Sequence, residues 1–330
     1  MEKVLITGAT GFLGLHTAQR LIGEGAQVTG LGRSLAQGRR LTEKGVRFVP
    51  CDLAHATNLT EVFRGHDLVI HCAALASPWG RYAEFYSANV TATENVLKAT
   101  REAGVKRLVH VSTPSIYIDH SNRLNVHEDE PLPQRAINYY AGTKRLAEER
   151  VDLAAREGLP VVSIRPQGII GPGDSAIFPR IMRMARKKIL PIIGDGENWI
   201  DLTYVDNVVE ALLLAMRAPA LANGRKYNIT NGEPVQLYVL LKSVFDELGF
   251  SYREKRIPFR RAYRVAGAME LACRYLLQGR EPLLTRYTVC ALGLSRTLNI
   301  DAARRDLNYK PIVDMPEAVR RLTAYLRTES

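Results

Sequence analysis

Four cysteines in 330 residues, Cys51, Cys72, Cys273 and Cys290, form no Cys-x-x-Cys pair and have no histidine cluster beside them. A disulfide framework and a metal site are therefore not expected, and a reducing, cytoplasmic setting fits. No run of about 18 apolar residues occurs, so no segment is expected to span a membrane. The opening "MEKVLITG" enters a strand-like run at once and leaves no room for a signal peptide. Internal repeats and low-complexity tracts are absent too. With 46% apolar and 24% charged residues, the composition suits one large globular domain or two unequal ones.

Acidic charge is also short. The net charge is +11, and residues 251–330 hold 16 Lys plus Arg against 8 Asp plus Glu, which puts +8 of the excess there. Such a bias first suggests nucleic acid. The arginines are interleaved with Leu, Tyr and Ala in "RRAYRVAGAMELACRYLL", however, and no nucleic-acid-binding motif accompanies them. A solvated helix face and an anionic, lipid-like partner are the two readings left, and contact with a membrane surface stays open.

What is present is a regular alternation. The β-rich runs "VLIT", "QVTGLG", "VRFVPCD", "DLVIHCAA", "RLVHVST", "VVSIRP" and "KYNIT" are separated by helical stretches, among them 12–23, 82–103 and 139–157. This predicts βαβ units and a parallel sheet covered on both faces, an α/β doubly wound fold of the Rossmann type. After about Gly171 the pattern loosens and predicts a smaller, mostly helical C-terminal lobe.

The first run continues as "VLITGATGFLG", a strand, a glycine loop and a helix start. Gly8, Gly11 and Gly14 are spaced G-x-x-G-x-x-G and allow a tight turn, close approach of backbone to a pyrophosphate and close helix–strand packing. Thr10, Phe12 and Leu13 belong to the same loop. At the end of the second run, "GLGRS" sets Gly32 where an acidic residue would hold a ribose 2′-OH, followed by Arg33 and Ser34. An arginine there suits a 2′-phosphate, so NADP(H) is expected over NAD(H), with a solvated surface arginine as the alternative. Asp52, with Leu53 in "PCDL", is in position to accept from an adenine amino group; an ordinary turn aspartate is the alternative.

"NYYAGTK" places two tyrosines ahead of a lysine. At about 100° per residue, Tyr140 and Lys144 share a helix face, whereas Tyr139 points away. Alone, that pair fits a packed ring beside a solvated lysine as well as an acid/base pair.

The order of "TGATGFLG", "CDL", "HCAA", "NVTATENV", "HVST", "YYAGTK", "GPGD" and "GDGENWIDLTYVDNVVEA" resembles the extended short-chain dehydrogenase/reductase family over nearly the whole chain. The resemblance implies that Tyr140 is the general acid/base and that Lys144 lowers its pKa and holds the nicotinamide ribose. It implies that Thr113 bonds the reacting substrate oxygen, with Ser112 as the neighbour open to confusion, and that Asn89 helps hold a proton-relay water. Ala73, Ala74 and Pro166 fall at further cofactor positions. The domain reading is an NADP-binding domain over 1–170, with a segment returning near 199–230, and a substrate lobe over 171–330. A homodimer is expected.

Three departures narrow the branch. Pro114 and Ser115 replace the Asp-Glu of dehydratases that act on nucleotide sugars. Gly168, in "IRPQGIIGPGD", replaces the asparagine that helps bind a sugar diphosphate. The third is the Gly32–Arg33 pair. With "SPWGRYAEFYSANV", they look like the 3β-hydroxysteroid dehydrogenase-like branch, which includes 2-alkyl-3-ketoacid reductases. An NADP(H)-dependent oxidoreductase acting between ketone and secondary alcohol is therefore expected, on a lipophilic substrate, such as a β-keto acid or steroid, that can be anionic. Trp79 and Tyr82 are candidates for the cleft wall or for simple packing. A cleft is expected under the arginine-studded segment 259–277. The rival readings are a nucleotide-sugar epimerase or reductase, and a regulator that binds NADP without turnover.

Overall fold

The computed structural model describes residues 1–174, 177, 179, 182–183, 188–277 and 279–329. Its centre is a seven-stranded parallel sheet. Strands β1 (Lys3–Thr7), β2 (Gln27–Gly32), β3 (Arg47–Pro50), β4 (Leu68–His71) and β5 (Arg107–Val111) come first in the chain. Val161–Pro166 and Lys226–Ile229 complete it, and the order across the sheet is Lys226–Ile229, Val161–Pro166, β5, β4, β1, β2, β3.

The apolar runs explain why this sheet lies in the middle. Val4, Leu5 and Ile6 are each 0% exposed, and their alternation divides them between two cores. Val4 and Ile6 pack with the helices α1 (Phe12–Gly23) and Val205–Arg217. Leu5 packs with Ala92–Glu102 and with Tyr139–Arg156 on the other face. A parallel sheet needs both faces covered, because the crossovers that connect it are themselves helices.

The chain leaves β1 towards β2 and β3, then returns on the other side of β1 to form β4. At that reversal the loops after β1 and β4 diverge and open a crevice at the carboxyl ends of the strands, the usual ligand position in such folds.

The predicted helix over 82–103 differs in detail. It runs as Tyr82–Phe85, a π-helical turn at Tyr86–Thr91, and then Ala92–Glu102. Periodicity does not reveal one widened turn, and such turns often mark functional sites.

The smaller lobe is built from short pieces. Val235–Gln236, Trp199–Ile200, Arg296–Leu298 and Arg123–Val126 form a four-stranded sheet in that order. Ile189–Ile193 pairs with Arg253–Ile257. Helices Leu237–Glu247, Phe259–Tyr275 and Arg286–Gly293 pack around them. One apolar core runs unbroken from Val4 in the sheet to Leu241 and Leu322 beside the lobe.

Candidate active site

Tyr140 and Lys144 stand about one turn apart on the helix Tyr139–Arg156. Asn138 caps that helix, its Oδ1 accepting from the Ala141 N–H at 2.8 Å. The Lys144 ammonium is buried and donates to the Val111 carbonyl at 2.8 Å, at the end of β5. Burial pushes its pKa down to about 8, against the opposing pull of the Glu148 carboxylate. Tyr140 is half-buried, and loss of solvent pushes its phenol up to about 12, while a hydrogen bond with Thr113 acts the other way.

That hydrogen bond separates Thr113 from its neighbour. Ser112 faces away and donates to Glu148 Oε2 at 2.6 Å. Thr113 faces Tyr140, and its Oγ1 also accepts from the Ser115 N–H at 3.1 Å. Consecutive residues of extended backbone just beyond β5 point to opposite faces, so one hydroxyl faces Tyr140 and the other the Glu148–Arg165 scaffold.

The scaffold behind the pair is dense. Glu148, one turn beyond Lys144, forms a buried ion pair with Arg165, with Arg165 Nε donating at 3.0 Å. Burial alone would raise the Glu148 carboxyl, but the hydrogen bonds and charge of Arg165 outweigh it and hold the pKa below the usual range. Arg165 also donates to the Tyr117 hydroxyl and, at 3.0 Å, to the Glu128 carbonyl. Asn89 lies in the π-helical turn. Its Oδ1 accepts from Leu75 N–H at 2.8 Å and its Nδ2 donates to Thr143 Oγ1 at 3.0 Å. It thus ties the segment after β4 to the helix Tyr139–Arg156.

The other sequence candidates gather at the carboxyl ends of the strands. Gly8 takes φ +69°, and a Cβ there would sit 2.7 Å from the backbone of Ala73. A Cβ on Gly14 would collide with the Gly8 carbonyl oxygen. Gly11 is the exposed N-cap of α1 and has no side chain to cap it. The cradle is therefore one that only glycine can form, open at a helix N-terminus, and it fits a pyrophosphate. Thr10 and Leu13 complete that turn, and Phe12 packs edge-on to His16 at 5.3 Å between centroids.

Around the cradle, Arg33 is exposed and has no ion-pair partner among the described residues, while Ser34 caps the next helix by accepting from Gln37 N–H at 3.3 Å. A Cβ on Gly32 would lie 2.6 Å from Thr10 Oγ1, so an acidic residue there would have to displace Thr10. Asp52 accepts from the Ala54 N–H at 3.1 Å, the turn role that was its alternative, and Leu53 is fixed through its carbonyl by Asn95 Nδ2 at 2.8 Å. Ala73 and Ala74 end β4's run, and Pro166 is buried at the end of its strand.

From Thr113, Pro114 and Ser115 a cleft of about 580 Å³ extends into the smaller lobe. Ile189, Leu240, Val244, Leu283, Leu292 and Leu322 are among its apolar walls. None of the lining residues comes from 259–277, where a cleft was expected. Helix Phe259–Tyr275 instead turns Ala262 and Ala266 onto Val289 of helix Arg286–Gly293, and that helix faces the cleft. Trp79 and Tyr82 do not line it either. Trp79 Nε1 donates to the Gly279 carbonyl at 2.9 Å, and the Arg274 guanidinium lies 5.6 Å over its ring and 5.4 Å over that of Tyr139. Tyr82 packs edge-on to Tyr139 at 5.4 Å.

Residues 4–230 match the NAD dependent epimerase/dehydratase family. The chain belongs to that family. It is an NAD(P)-dependent dehydrogenase/reductase of the extended short-chain type. It is 36% identical over 332 residues to a 2-alkyl-3-oxoalkanoate reductase of Stenotrophomonas maltophilia (strain K279a), covering 98% of each chain. It is 32% identical over 330 residues to a decarboxylating sterol-4-alpha-carboxylate 3-dehydrogenase of Mus musculus, covering 97% of this chain and 90% of that one. Among solved structures, MoeE5 in complex with UDP-glucose and NAD superposes with a TM-score of 0.77 at 26% identity, over 99% of both chains.

Within this epimerase/dehydratase frame, several residues escape sequence reasoning. Tyr287 comes from the smaller lobe to place its hydroxyl 3.1 Å from Ser115 Oγ, across 172 residues of chain. His110 lies under Lys144, with its Nε2 3.3 Å from the ammonium. Arg296 lies in the cleft wall. Neither spacing nor composition marks any of them. Among the described residues, no cluster of three or more His, Cys, Asp or Glu is placed to hold a metal ion, and no helix is long and apolar enough to cross a membrane.

Proposed function

We propose that the protein interconverts a ketone and a secondary alcohol on a lipophilic substrate, a 3-oxo or 3-hydroxy acid or a sterol-like compound, with NADP(H) preferred to NAD(H). The observation that carries this reading is the apolar cleft of about 580 Å³ lined at one end by Thr113, the hydrogen-bond partner of Tyr140. The relatives reduce 2-alkyl-3-oxoalkanoates or oxidise sterol carboxylates by name, and both substrates need such a cleft.

The cofactor would be held by the glycine cradle, by Lys144 and, at its far end, by Arg33 and Ser34. When bound it would give the hydride to the ketone or take it from the alcohol. The chain's own residues do the rest. Thr113 orients the reacting oxygen, and Tyr140 gives it or takes from it a proton. Lys144 contributes positive charge beside that exchange, and Asn89 braces the helix through Thr143. A free, exposed Arg33 beside a side-chain-less Gly32 favours a 2′-phosphate over a 2′-hydroxyl.

A nucleotide-sugar substrate is the less favoured alternative. Gly168 takes φ +48°, and a Cβ there would lie 2.8 Å from Leu202 Cδ2, leaving no room for the asparagine that holds a sugar diphosphate unless Leu202 moves. A non-catalytic regulator is disfavoured by the retained Tyr140 and Lys144.

The test is NADPH consumption by the purified protein against a homologous series of β-keto acids, ketosteroids and UDP-sugars. Each buried CH₂ contributes about 0.8 kcal/mol, so four added carbons should lower KM on the order of a hundredfold until the cleft is full. A flat series together with turnover of a UDP-sugar would overturn the reading.

A further inference from the structure

We infer that Arg296 is the anion-binding residue of the cleft, its guanidinium receiving the carboxylate of a 3-oxo or 3-hydroxy acid whose alkyl chains fill the apolar walls. The inference rests on the reading of the cleft as a ketone/alcohol site and names its substrate class.

Arg296 begins the short strand Arg296–Leu298, is 8% exposed, and lines the same cleft as Thr113 and Ser115. Among the described residues, its guanidinium has no hydrogen-bond or ion-pair partner. The other buried or half-buried arginines behave differently. Arg165 has Glu148, Tyr117 and the Glu128 carbonyl. Arg107 has Asn223 Oδ1 at 3.2 Å and the Met216 carbonyl at 3.2 Å. An arginine that serves the scaffold brings its acceptors with it, because a buried cation without them is strongly disfavoured. Arg296 has the burial without the acceptors. Removal from solvent lowers its pKa, opposed by Tyr287, Cys290 and Asp119.

Two carboxylates near Arg296 are engaged by other groups, and Glu281, also in the cleft wall, is exposed and forms no ion pair with it among the described residues. Asp119 accepts from Ser121 N–H at 2.8 Å and lies 3.8 Å from Arg123. Asp201, also in the cleft wall, gives Oδ2 to the Leu298 N–H at 2.7 Å, and burial raises its pKa to about 6. With no side-chain anion paired to it among the described residues, the guanidinium is left to an anion that enters the cleft.

The position of Arg296 specifies where on the substrate that anion sits. Tyr287 heads the groups that feel the Arg296 charge, and its hydroxyl lies 3.1 Å from Ser115 Oγ. The Ser115 N–H lies 3.1 Å from Thr113 Oγ1, and Tyr140 feels both Thr113 and Tyr287. The cation and the acid/base pair thus share one end of the cleft, with the apolar walls beyond. That arrangement suits a carboxylate near the reacting carbonyl, as in a 3-oxo acid, with branches that run away from both. A terminal carboxylate on a long chain would lie at the wrong end.

The test uses the stable alcohols. Oxidation of 3-hydroxy-2-methyldodecanoate and of its methyl ester is followed with NADP⁺ and NAD⁺, in wild type and in Arg296→Gln and Arg296→Lys. Wild type should favour the acid over the ester in kcat/KM by roughly 30-fold or more, the usual effect of a desolvated charge pair. Arg296→Gln should abolish that preference, and Arg296→Lys should retain part of it. The wild-type comparison stands even where a variant fails to fold. An acid preference unchanged in Arg296→Gln, or a wild type that treats acid and ester alike, overturns the role of Arg296 and leaves ketone/alcohol chemistry intact. Oxidation of neither compound overturns both.

Discussion

The ammonium of Lys144 lies 3.3 Å from Nε2 of His110. Lysine can only donate, so that nitrogen accepts, and the His110 proton sits on Nδ1, facing Ser163 Oγ at 3.3 Å. His71 stacks on His110 at 5.8 Å and has the opposite tautomer. Thr93 Oγ1 spends its proton on the Asn89 carbonyl at 2.7 Å, so it accepts from His71 Nε2 at 2.9 Å. Two neutral imidazoles therefore lie beneath Lys144.

Acid sensitivity follows from this. Burial, then the charge of Lys144, pushes His71 down to about 3, and burial and Lys144 push His110 well below its ordinary value. In the unfolded chain both take a proton near 6.5. Below about pH 6.5 the unfolded state therefore binds more protons, and stability falls as pH drops from there towards about 3, by a few kcal/mol in all. Urea midpoints measured from about pH 7.5 to 5 should decline, and the slope should be shallower in His71→Gln. A flat wild-type profile would count against the buried neutral pair.

Tyr140→Phe removes the proton donor and leaves the ring. Turnover should drop by roughly 10²-fold or more, with cofactor affinity nearly unchanged. Fluorescence titration with NADPH beside single-turnover kinetics separates the two effects. Near-wild-type kcat would reduce Tyr140 to a packed ring.

Arg33→Ala should raise KM for NADPH and barely alter that for NADH, since only the former can lose a charge-assisted contact to a 2′-phosphate. Equal effects on both would remove Arg33 from this role. Gly32→Asp alone should not convert the preference cleanly, because its Cβ lands 2.6 Å from Thr10 Oγ1. Pairing it with Thr10→Gly should do better.

Glu148→Gln leaves Arg165 buried without its counter-charge. A loss of about 3–5 kcal/mol is the usual result of breaking such a pair. Thermal unfolding measures it directly. A change of less than about 1 kcal/mol, as at an exposed pair, would mean that water reaches the site.

How much of this could be read from the sequence depends on distance along the chain. Tyr140 and Lys144 lie within one turn, and the glycine cradle within one loop, so local geometry made them candidates, and the order of motifs along the chain singled out the tyrosine and lysine. Most strands of the sheet could be read because they are buried and rich in Val, Ile and Leu; the edge strand β3, only half-buried, is the exception. Ser112 and Thr113 were hard to separate in a string, although strand alternation sends one to Glu148 and the other to Tyr140. The cleft was placed under 259–277 because arginines and apolar residues alternate there. Its walls instead come from Leu240, Leu292 and Leu322, which no local pattern brings together. Tyr287 and Arg296 reach the catalytic end only through tertiary packing.

The bond from Trp79 to Gly279 joins two segments that sit at the rim between the catalytic helix and the smaller lobe. The protein has two tryptophans, and the other, Trp199, is 44% exposed on the far small sheet. With Trp199→Phe, the emission of a single indole, hydrogen-bonded and lying under a guanidinium, would report the spacing between those two segments. The protein therefore contains its own optical gauge for whether the rim parts when a long-chain substrate enters.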